Sequence, residues 1–316
     1  MRTNRNPGTG GISRFTETTT RRDNVMTGKL NRRTLLGGIG ALGTAGALPS
    51  APANADPGPR TTIDFSDNAA SLHAYVKLAG TIEDGAVHYW YQGTIFGMTP
   101  DGSKAMLGWT GLLKMVWRNL GNNSFHFRNF DLSYFTLPGS DERVEEFENP
   151  FTGKINRPID VRGGPFDIIM TPTKLDWTRS GDDVWVAEPR HFKFANKLDP
   201  DEWPLASTGE NLNLLYVDGF QGKVSDLENP DIVSAPSYLN VHHVNPWYPF
   251  FLMGKQPGVN YWHGHGKKIS SLTDVSPAVL KYIEEAQPGF IESEMPWPTR
   301  TDSYLQYKMD RQPIKD

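Results

Sequence analysis

The chain contains no cysteine among its 316 residues. Disulfides, thiolate nucleophiles, iron–sulfur clusters and cysteine-ligated zinc are therefore excluded. Familiar catalytic signatures are missing as well. The sequence has no G-x-S-x-G turn, no S-x-x-K, no P-loop, no H-E-x-x-H and no G-x-G-x-x-G following a strand. Ordinary serine hydrolases, kinases and Rossmann dehydrogenases are disfavoured on that ground. Beyond Asp56 no basic run of five or more residues occurs, and no internal repeat of fixed period is visible.

What is present begins with an address. Arg32-Arg33 stands directly before an apolar, glycine-rich run, Leu35 to Leu48, and the small-residue site Ala53-Asn54-Ala55 follows. This order is that of a bacterial export signal, and the paired arginines indicate the twin-arginine route. The run is too short, and with five glycines within 37–46 too poor in helix formers, to hold a bilayer stably. Met1 to Leu30 is polar and lacks periodicity, which reads as a disordered leader. The expectation is a disordered leader and twin-arginine signal peptide over 1–55 and a single β-rich domain over 56–316. Its location would be periplasmic or secreted, with no stable membrane anchor. The twin-arginine translocase would be a partner during export.

The leader also hides the charge of the body. It holds eight of the 32 Lys/Arg and two of the 36 Asp/Glu, so residues 56–316 carry a net charge of −10 rather than the −4 of the whole chain. An acidic body lacks the concentrated cations that phosphate backbones need, which argues against nucleic acid as a partner. Without disulfides, stability must come from an apolar core, and a body of this length can build one. That core is aromatic: 35 of the 36 Phe, Trp and Tyr residues lie after Ala55. Rings favour strands and also line pockets for apolar or ring-bearing ligands.

Strand-like segments recur at short intervals. Val87 to Met98 is dense in β-formers and ends in the turn Pro100-Asp101-Gly102-Ser103. Met106 to Trp117 is its candidate hairpin partner. In Ser124 to Leu137, Phe125 and Phe127 alternate with His126 and Arg128. Phe130, Leu132 and Tyr134 then resume out of phase, as a β-bulge near Asn129 would produce. Further strands are expected over Arg143 to Phe147, Phe166 to Thr171, Lys174 to Thr178, Val184 to Phe194, Leu212 to Gly219, Tyr238 to Val244 and Tyr304 to Met309. Pro189 must sit at an edge or bulge of its strand. Asp199 to Asn211 reads as a loop. Helix signals are few: a capped segment within Ile63 to Leu78, and Ser276-Pro277 opening a stripe of Val279, Leu280 and Ile283 that Pro288-Gly289 stops. Many short strands without a βαβ rhythm indicate a mainly β fold, an antiparallel β-barrel or sandwich (lipocalin-like) with few short helices.

Four of the eight histidines fall within 24 residues: His242, His243, His263 and His265. In Tyr261-Trp262-His263-Gly264-His265-Gly266 the two imidazoles share one face if extended, and the glycines permit close approach. His243, His263 and His265 are the candidate acid/base residues. Trp90, Arg128 and Trp262 are candidate substrate contacts, Arg128 through an oxygen anion. The same three histidines with a carboxylate from elsewhere could ligate a metal, although no metal-ligand spacing is present. For each imidazole a structural role remains the competing reading. The acidic run Asp141 to Glu148 reads as a solvated face.

Trp90-Tyr91-Gln92-Gly93-Thr94-Ile95-Phe96-Gly97, together with the Asn149-Pro150-Phe151-Thr152-Gly153 turn, resembles the bacterial and fungal family called domain of unknown function 1838. The segment Pro296 to Asp302 is compatible with it. The resemblance spans most of the body, from about Asp67 to about Tyr307. It implies a single domain, often exported in bacteria, and carries over no reaction and no catalytic residue.

The resulting functional expectation is an exported small-molecule enzyme. It would be a histidine acid/base isomerase, lyase or hydratase that acts on an aromatic or terpenoid/polyketide-like compound in a β-barrel cavity. The alternatives are a non-catalytic, lipocalin-like carrier of a small apolar or aromatic ligand, and a histidine-ligated metal protein. No cofactor is assigned, the histidine-bound metal being the one considered.

Overall fold

A computed structural model describes residues 62–292 and 303–314. The expected leader and signal peptide, and the segment Pro296 to Asp302, lie outside the described residues. Helix α1 (Asn68–Ala79) begins where the Asp67 carboxylate accepts from the Ala70 amide at 2.8 Å. It ends at Gly80, over which the Trp117 indole lies so closely that a Cβ there would meet the ring at 2.2 Å.

Nine strands then form one antiparallel sheet: β1 (Gly85–Thr99), β2 (Gly102–Gly121), β3 (Ser124–Thr136), β6 (Val161–Met170), β7 (Trp177–Ser180), β8 (Asp183–Ala195), β9 (Asn211–Lys223), β10 (Tyr238–Asn245) and β11 (Val259–Ile269). A two-stranded ribbon, β4 (Phe147–Glu148) with β5 (Ile155–Asn156), stands apart. Short helix α2 (Val224–Glu228) follows β9. Helices α3 (Pro277–Ala286) and α4 (Ser303–Asp310) close the chain. No described helix is long and apolar enough to cross a membrane.

The strand order is β6-β3-β2-β1-β11-β10-β9-β8-β7. Each half is a meander, and the first and last strands of the sheet pair at its centre. The consecutive strands β6 and β7 therefore occupy opposite edges, joined by residues 171–176 alone. Such a linker reaches about 25 Å when extended, whereas nine flat strands would be about 38 Å across. The sheet must curl, and it does, into a half-barrel. The mainly β expectation holds, as a single curled sheet rather than a sandwich.

Local sequence explains the long hairpins. Asn122 and Asn123 adopt φ of 50° and 56° between β2 and β3, the conformation a two-residue hairpin turn requires and Asn tolerates. Pro189 lies where β8 has outrun β7, which pairs only as far as Val186. That is the edge position its missing N–H demands.

Several segments differ from the sequence reading: Arg143 to Phe147, expected as a strand, makes one isolated bridge at Arg143 and enters a strand only at Phe147, and Lys174 to Thr178 enters one only at Trp177. Strand β3 keeps strict alternation, and its pairing with β2 is unbroken across Asn129. The apolar residues change face because a second layer begins there: α3 covers the convex side and buries Phe130, Leu132 and Tyr134 with Val279, Tyr282 and Ile283. The irregularity sits instead in β6, where Gly164 and Pro165 (joined by a cis peptide bond) oppose a single residue of β3. The segment Tyr304 to Met309, expected as a strand, lies in helix α4. Its Tyr307 is buried against Trp203, and Gln306 bonds Asp310 one helical turn away at 2.5 Å.

Three lysines are buried as fasteners. Lys268 Nζ donates to the carbonyls of Gly80 and Ala235 at 2.9 and 2.8 Å, just beyond the C-terminus of α1. Burial pushes its pKa down to about 7. Lys77 Nζ donates to the Leu227 and Asn229 carbonyls, and Lys114 Nζ to those of Phe290 and Ile291. Each joins a helix or its flank to a distant segment by donating to backbone oxygens.

Candidate functional site

Curling gives the sheet an inner face, and strand alternation decides which residues line it. From β1 comes Tyr91; from β11, Trp262; from β10, Val241 and His243; from β9, Leu214, Tyr216, Asp218 and Phe220. β8 adds Glu188, Arg190, Phe192 and Phe194, and β3 adds Phe127, Asn129, Asp131 and Ser133. They enclose a cavity of about 410 Å³. Its walls are mostly rings. Trp109 packs against both Tyr91 and Trp262, with centroids 4.8 and 5.1 Å apart, and Tyr248 lies 5.4 Å from Trp262.

Polar groups gather on two facing walls. On the β8–β9–β10 wall, His243 Nε2 lies 2.8 Å from Asp218 Oδ1, and Arg190 Nη2 bonds Asp218 Oδ2. The His243 ring stacks on Tyr216 at 3.8 Å and 12°. Burial alone would push the Asp218 carboxyl up, but hydrogen bonding and charge from His243, together with Arg190, hold it below its ordinary range. An ionised carboxylate only accepts, so His243 donates to it through Nε2, and Nδ1 is the ring nitrogen not engaged by Asp218. Glu188, on the same wall, is pushed up by burial, while Arg190 and Tyr75 draw it back.

On the β1–β3 wall, the Tyr91 hydroxyl donates to Asp131 Oδ2 at 3.1 Å. Burial raises the Asp131 carboxyl to about 6, against the opposing pull of Tyr91 and of His243 across the cavity. The Tyr91 hydroxyl is itself raised, first by burial and then by the Asp131 charge. One enclosed space thus holds an oriented imidazole and, opposite it, a carboxyl able to take or give a proton near neutrality. Three buried polar atoms of residues in this lining have no hydrogen-bond partner: Arg190 Nε, Asn129 Oδ1 and Trp109 Nε1, the last packed over Gly93.

The candidates named from the sequence divide by face. His243 and Trp262 line the cavity. His263 and His265 are exposed on the outer face, because both lie out of phase with Trp262 along the strand. There, His263 Nδ1 lies 3.5 Å from His242 Nδ1, which also bonds the Tyr261 hydroxyl at 2.8 Å. Trp90 is outward as well, its indole donating to Thr110 Oγ1 at 3.3 Å and its ring packed on the α3 layer. Arg128 is outward and held by Asp167, which it shares with His126. His243, His263 and His265 therefore do not converge. Among the described residues no group of three His, Asp or Glu is placed to hold a metal.

The glycines of the His-Gly-His-Gly motif do permit close approach, but of the protein's own rings. A Cβ at Gly264 would meet Trp109 Cζ2 at 2.6 Å, and one at Gly93 would meet the His263 carbonyl at 2.3 Å and the Trp109 indole nitrogen at 2.7 Å. The Asn149 turn is architectural. Asn149 Nδ2 donates to the Phe251 carbonyl at 2.8 Å, and Phe151 fills the space above Gly97.

Asp131, Asp218, Glu188, Arg190 and Tyr91 are functional candidates that only the folded chain brings forward. A sequence signal for them does exist. The inward phase of β3 reads Phe125, Phe127, Asn129, Asp131, Ser133, Phe135, and that of β9 reads Leu212, Leu214, Tyr216, Asp218, Phe220. A charged residue inside an otherwise apolar phase marks a buried, partnered group.

A family model described as "Protein of unknown function (DUF1838)" matches residues 84–308. No curated protein matches the chain.

Proposed function

Starting from the fact that the chain belongs to the DUF1838 family, we propose that it is an exported acid/base enzyme, an isomerase or lyase acting on a small aromatic, terpenoid or polyketide-like molecule held in the half-barrel cavity. One observation carries this reading: the His243–Asp218 pair and the Asp131–Tyr91 pair face each other across a single ring-lined space. Asp218 holds the His243 tautomer, so Nδ1 is the base. Asp131, raised toward neutrality by burial, is the acid on the opposite wall. Trp262 and Tyr248, packed against each other, offer ring surface to the substrate, and exclusion of water strengthens both groups.

A proton taken by His243 from one carbon and returned by Asp131 to another shifts a double bond. If Asp131 protonates a leaving hydroxyl instead, a C–O bond breaks and water departs. Each positioned group contributes roughly 10²- to 10⁴-fold to such a step. The export reading rests on Arg32-Arg33, the apolar run behind them and the Ala53-Asn54-Ala55 site. The translocase would then be a partner in export, and the small ring-bearing molecule the partner in function.

The test is to incubate the purified full chain with a panel of hydroxylated and unsaturated ring compounds and follow their conversion by mass spectrometry. Conversion that falls at least a hundredfold in His243→Ala and Asp131→Asn supports the assignment. Compounds that co-purify and leave unchanged, with no conversion anywhere in the panel, would replace it with the carrier reading.

A further inference from the structure

The half-barrel is open along one seam. Val161, Gly164 and Phe166 of β6 line the cavity, as do Arg190, Phe192 and Phe194 of β8. Strand β6 is the last of the sheet on its side, and β7 covers β8 only as far as Val186. The two stretches are not paired with each other, so the wall is open between them. Arg162 stands on this rim. Its register partner is Leu132, which α3 buries on the convex side, so the Arg162 side chain turns away from the cavity while its strand still borders it.

Outside the rim lies a second space, a polar cleft of about 700 Å³, which Arg162 also lines. The cleft holds four arginines and four carboxylates, but they are unevenly paired. Arg143 reaches Asp160 at 2.8 Å and Glu145 at 3.2 Å, and Arg157 reaches Glu146 at 2.5 Å. Among the described residues Arg162 donates only to the Ala286 carbonyl, at 3.4 Å, and neither it nor Arg311 has a carboxylate partner. The fourth carboxylate, Asp310, is exposed and accepts from Gln306. Two guanidinium groups thus remain against one solvated carboxylate, which leaves room for one further negative charge.

We propose that the molecule held in the cavity carries a carboxylate on a flexible tail, which leaves through the seam, passes the edge of β6 and is bound by Arg162 and Arg311 in the outer cleft. This rests on the reading of the cavity as the ligand site and deepens it, since the substrate class becomes a ring-bearing body with an acidic tail. The path is short, because only one strand, about 5 Å wide, separates the two spaces. A singly charged oxyanion suits the free charge of the cleft, and guanidinium forks match a carboxylate in shape. Anchoring the tail outside also fixes which edge of the ring body faces His243 and Asp131.

The experiment is a binding comparison that needs no turnover. The full chain is titrated calorimetrically with 2-naphthoate, 4-(2-naphthyl)butanoate, 6-(2-naphthyl)hexanoate and 8-(2-naphthyl)octanoate, each beside the alcohol of the same length. Once the tail reaches the cleft, the acid should bind about tenfold more tightly than its alcohol, the range of a charge-assisted bond at a partly exposed site. 2-Naphthoate, which has no tail, should gain nothing over its alcohol. Arg162→Gln should bring every acid to within about twofold of its alcohol, and Arg311→Gln should at least halve the preference. The affinities of the alcohols should stay unchanged in both variants and report that the cavity is intact. Arg179→Gln removes an exposed guanidinium that lines neither space and should leave the preference as it is. An acid preference that is absent at every length, already complete in 2-naphthoate, or lost equally in Arg179→Gln overturns the proposal, while alcohols that still bind keep the cavity reading. Absence of binding by every probe overturns both. The expected preference without conversion of any compound would leave the tail site standing and remove only the catalytic reading.

Discussion

Asp131→Asn should make the protein more stable at neutral pH, and the gain should vanish in acid. In the folded chain burial raises the carboxyl to about 6 from an ordinary value of 3.8. Below pH 4 it is neutral in both folded and unfolded states, and asparagine differs from it little. Between pH 4 and 6 the unfolded chain has released this proton and the folded chain has kept it. Each step up in pH therefore favours unfolding. Above pH 6 both states are ionised and the penalty is constant. About two units at 1.36 kcal/mol each give roughly 3 kcal/mol. This is an upper bound, because the cavity leaves Asp131 partly open and asparagine must still satisfy the Tyr91 hydroxyl. The assay is urea denaturation of the wild type and Asp131→Asn at half-unit intervals from pH 4 to 8, with slopes compared to confirm a common unfolding reaction. The stability difference should grow from near zero at pH 4 to a plateau above pH 6.5. A difference that is flat with pH, or an asparagine variant less stable at pH 7.5, would refute the account of Asp131 as a strained, functionally retained carboxylate.

Other outcomes follow from the same geometry. Gly93→Ala should destabilise the fold by about 3 kcal/mol, the upper part of the overpacking range, because the new Cβ meets the His263 backbone carbonyl. His263→Ala and His265→Ala, exposed on the outer face, should each stay within about 0.5 kcal/mol. Equal losses for the glycine and histidine variants in urea melts would contradict the face assignment. Asp218→Asn should lower kcat at least a hundredfold on any substrate found, with KM little changed. The reason is that an amide can donate to Nε2 and favour the wrong tautomer; an unchanged kcat would separate Asp218 from the chemistry. Replacing Arg32 and Arg33 by lysine should retain the full-length chain in the cytoplasm in a fractionation experiment, and continued export would remove the twin-arginine assignment.

Much of the fold was legible because it rests on local rules. Ring-rich alternation and turn residues placed most of the strands, and Pro189 correctly announced an edge. Ser276-Pro277 marked the start of α3. The failures share one cause. A strand shows two faces with a period of two residues, and its own sequence does not say which face turns inward. Here both faces of β1 and β3 carry rings, because α3 covers part of the convex side. Trp90 and Arg128 therefore looked as suitable as Tyr91 and Asp131. The histidine motif misled in the same way. His263 and His265 share a face as expected, but Trp262, just before them and on the other face, is the residue that reaches the cavity.

By itself the sequence determined an acidic, cysteine-free, aromatic β protein preceded by an export-like leader, since composition and short-range periodicity act within a few residues of chain. Only the tertiary structure decided where chemistry can occur. Asp131 and His243 are more than a hundred residues apart and lie on separate meanders of the sheet. They face each other because β1 pairs with β11 and a short linker pulls β6 and β7 toward one another. Curvature of that kind depends on the whole sheet, and so does the burial that lifts one carboxyl toward neutrality while an imidazole and a guanidinium hold the other ionised.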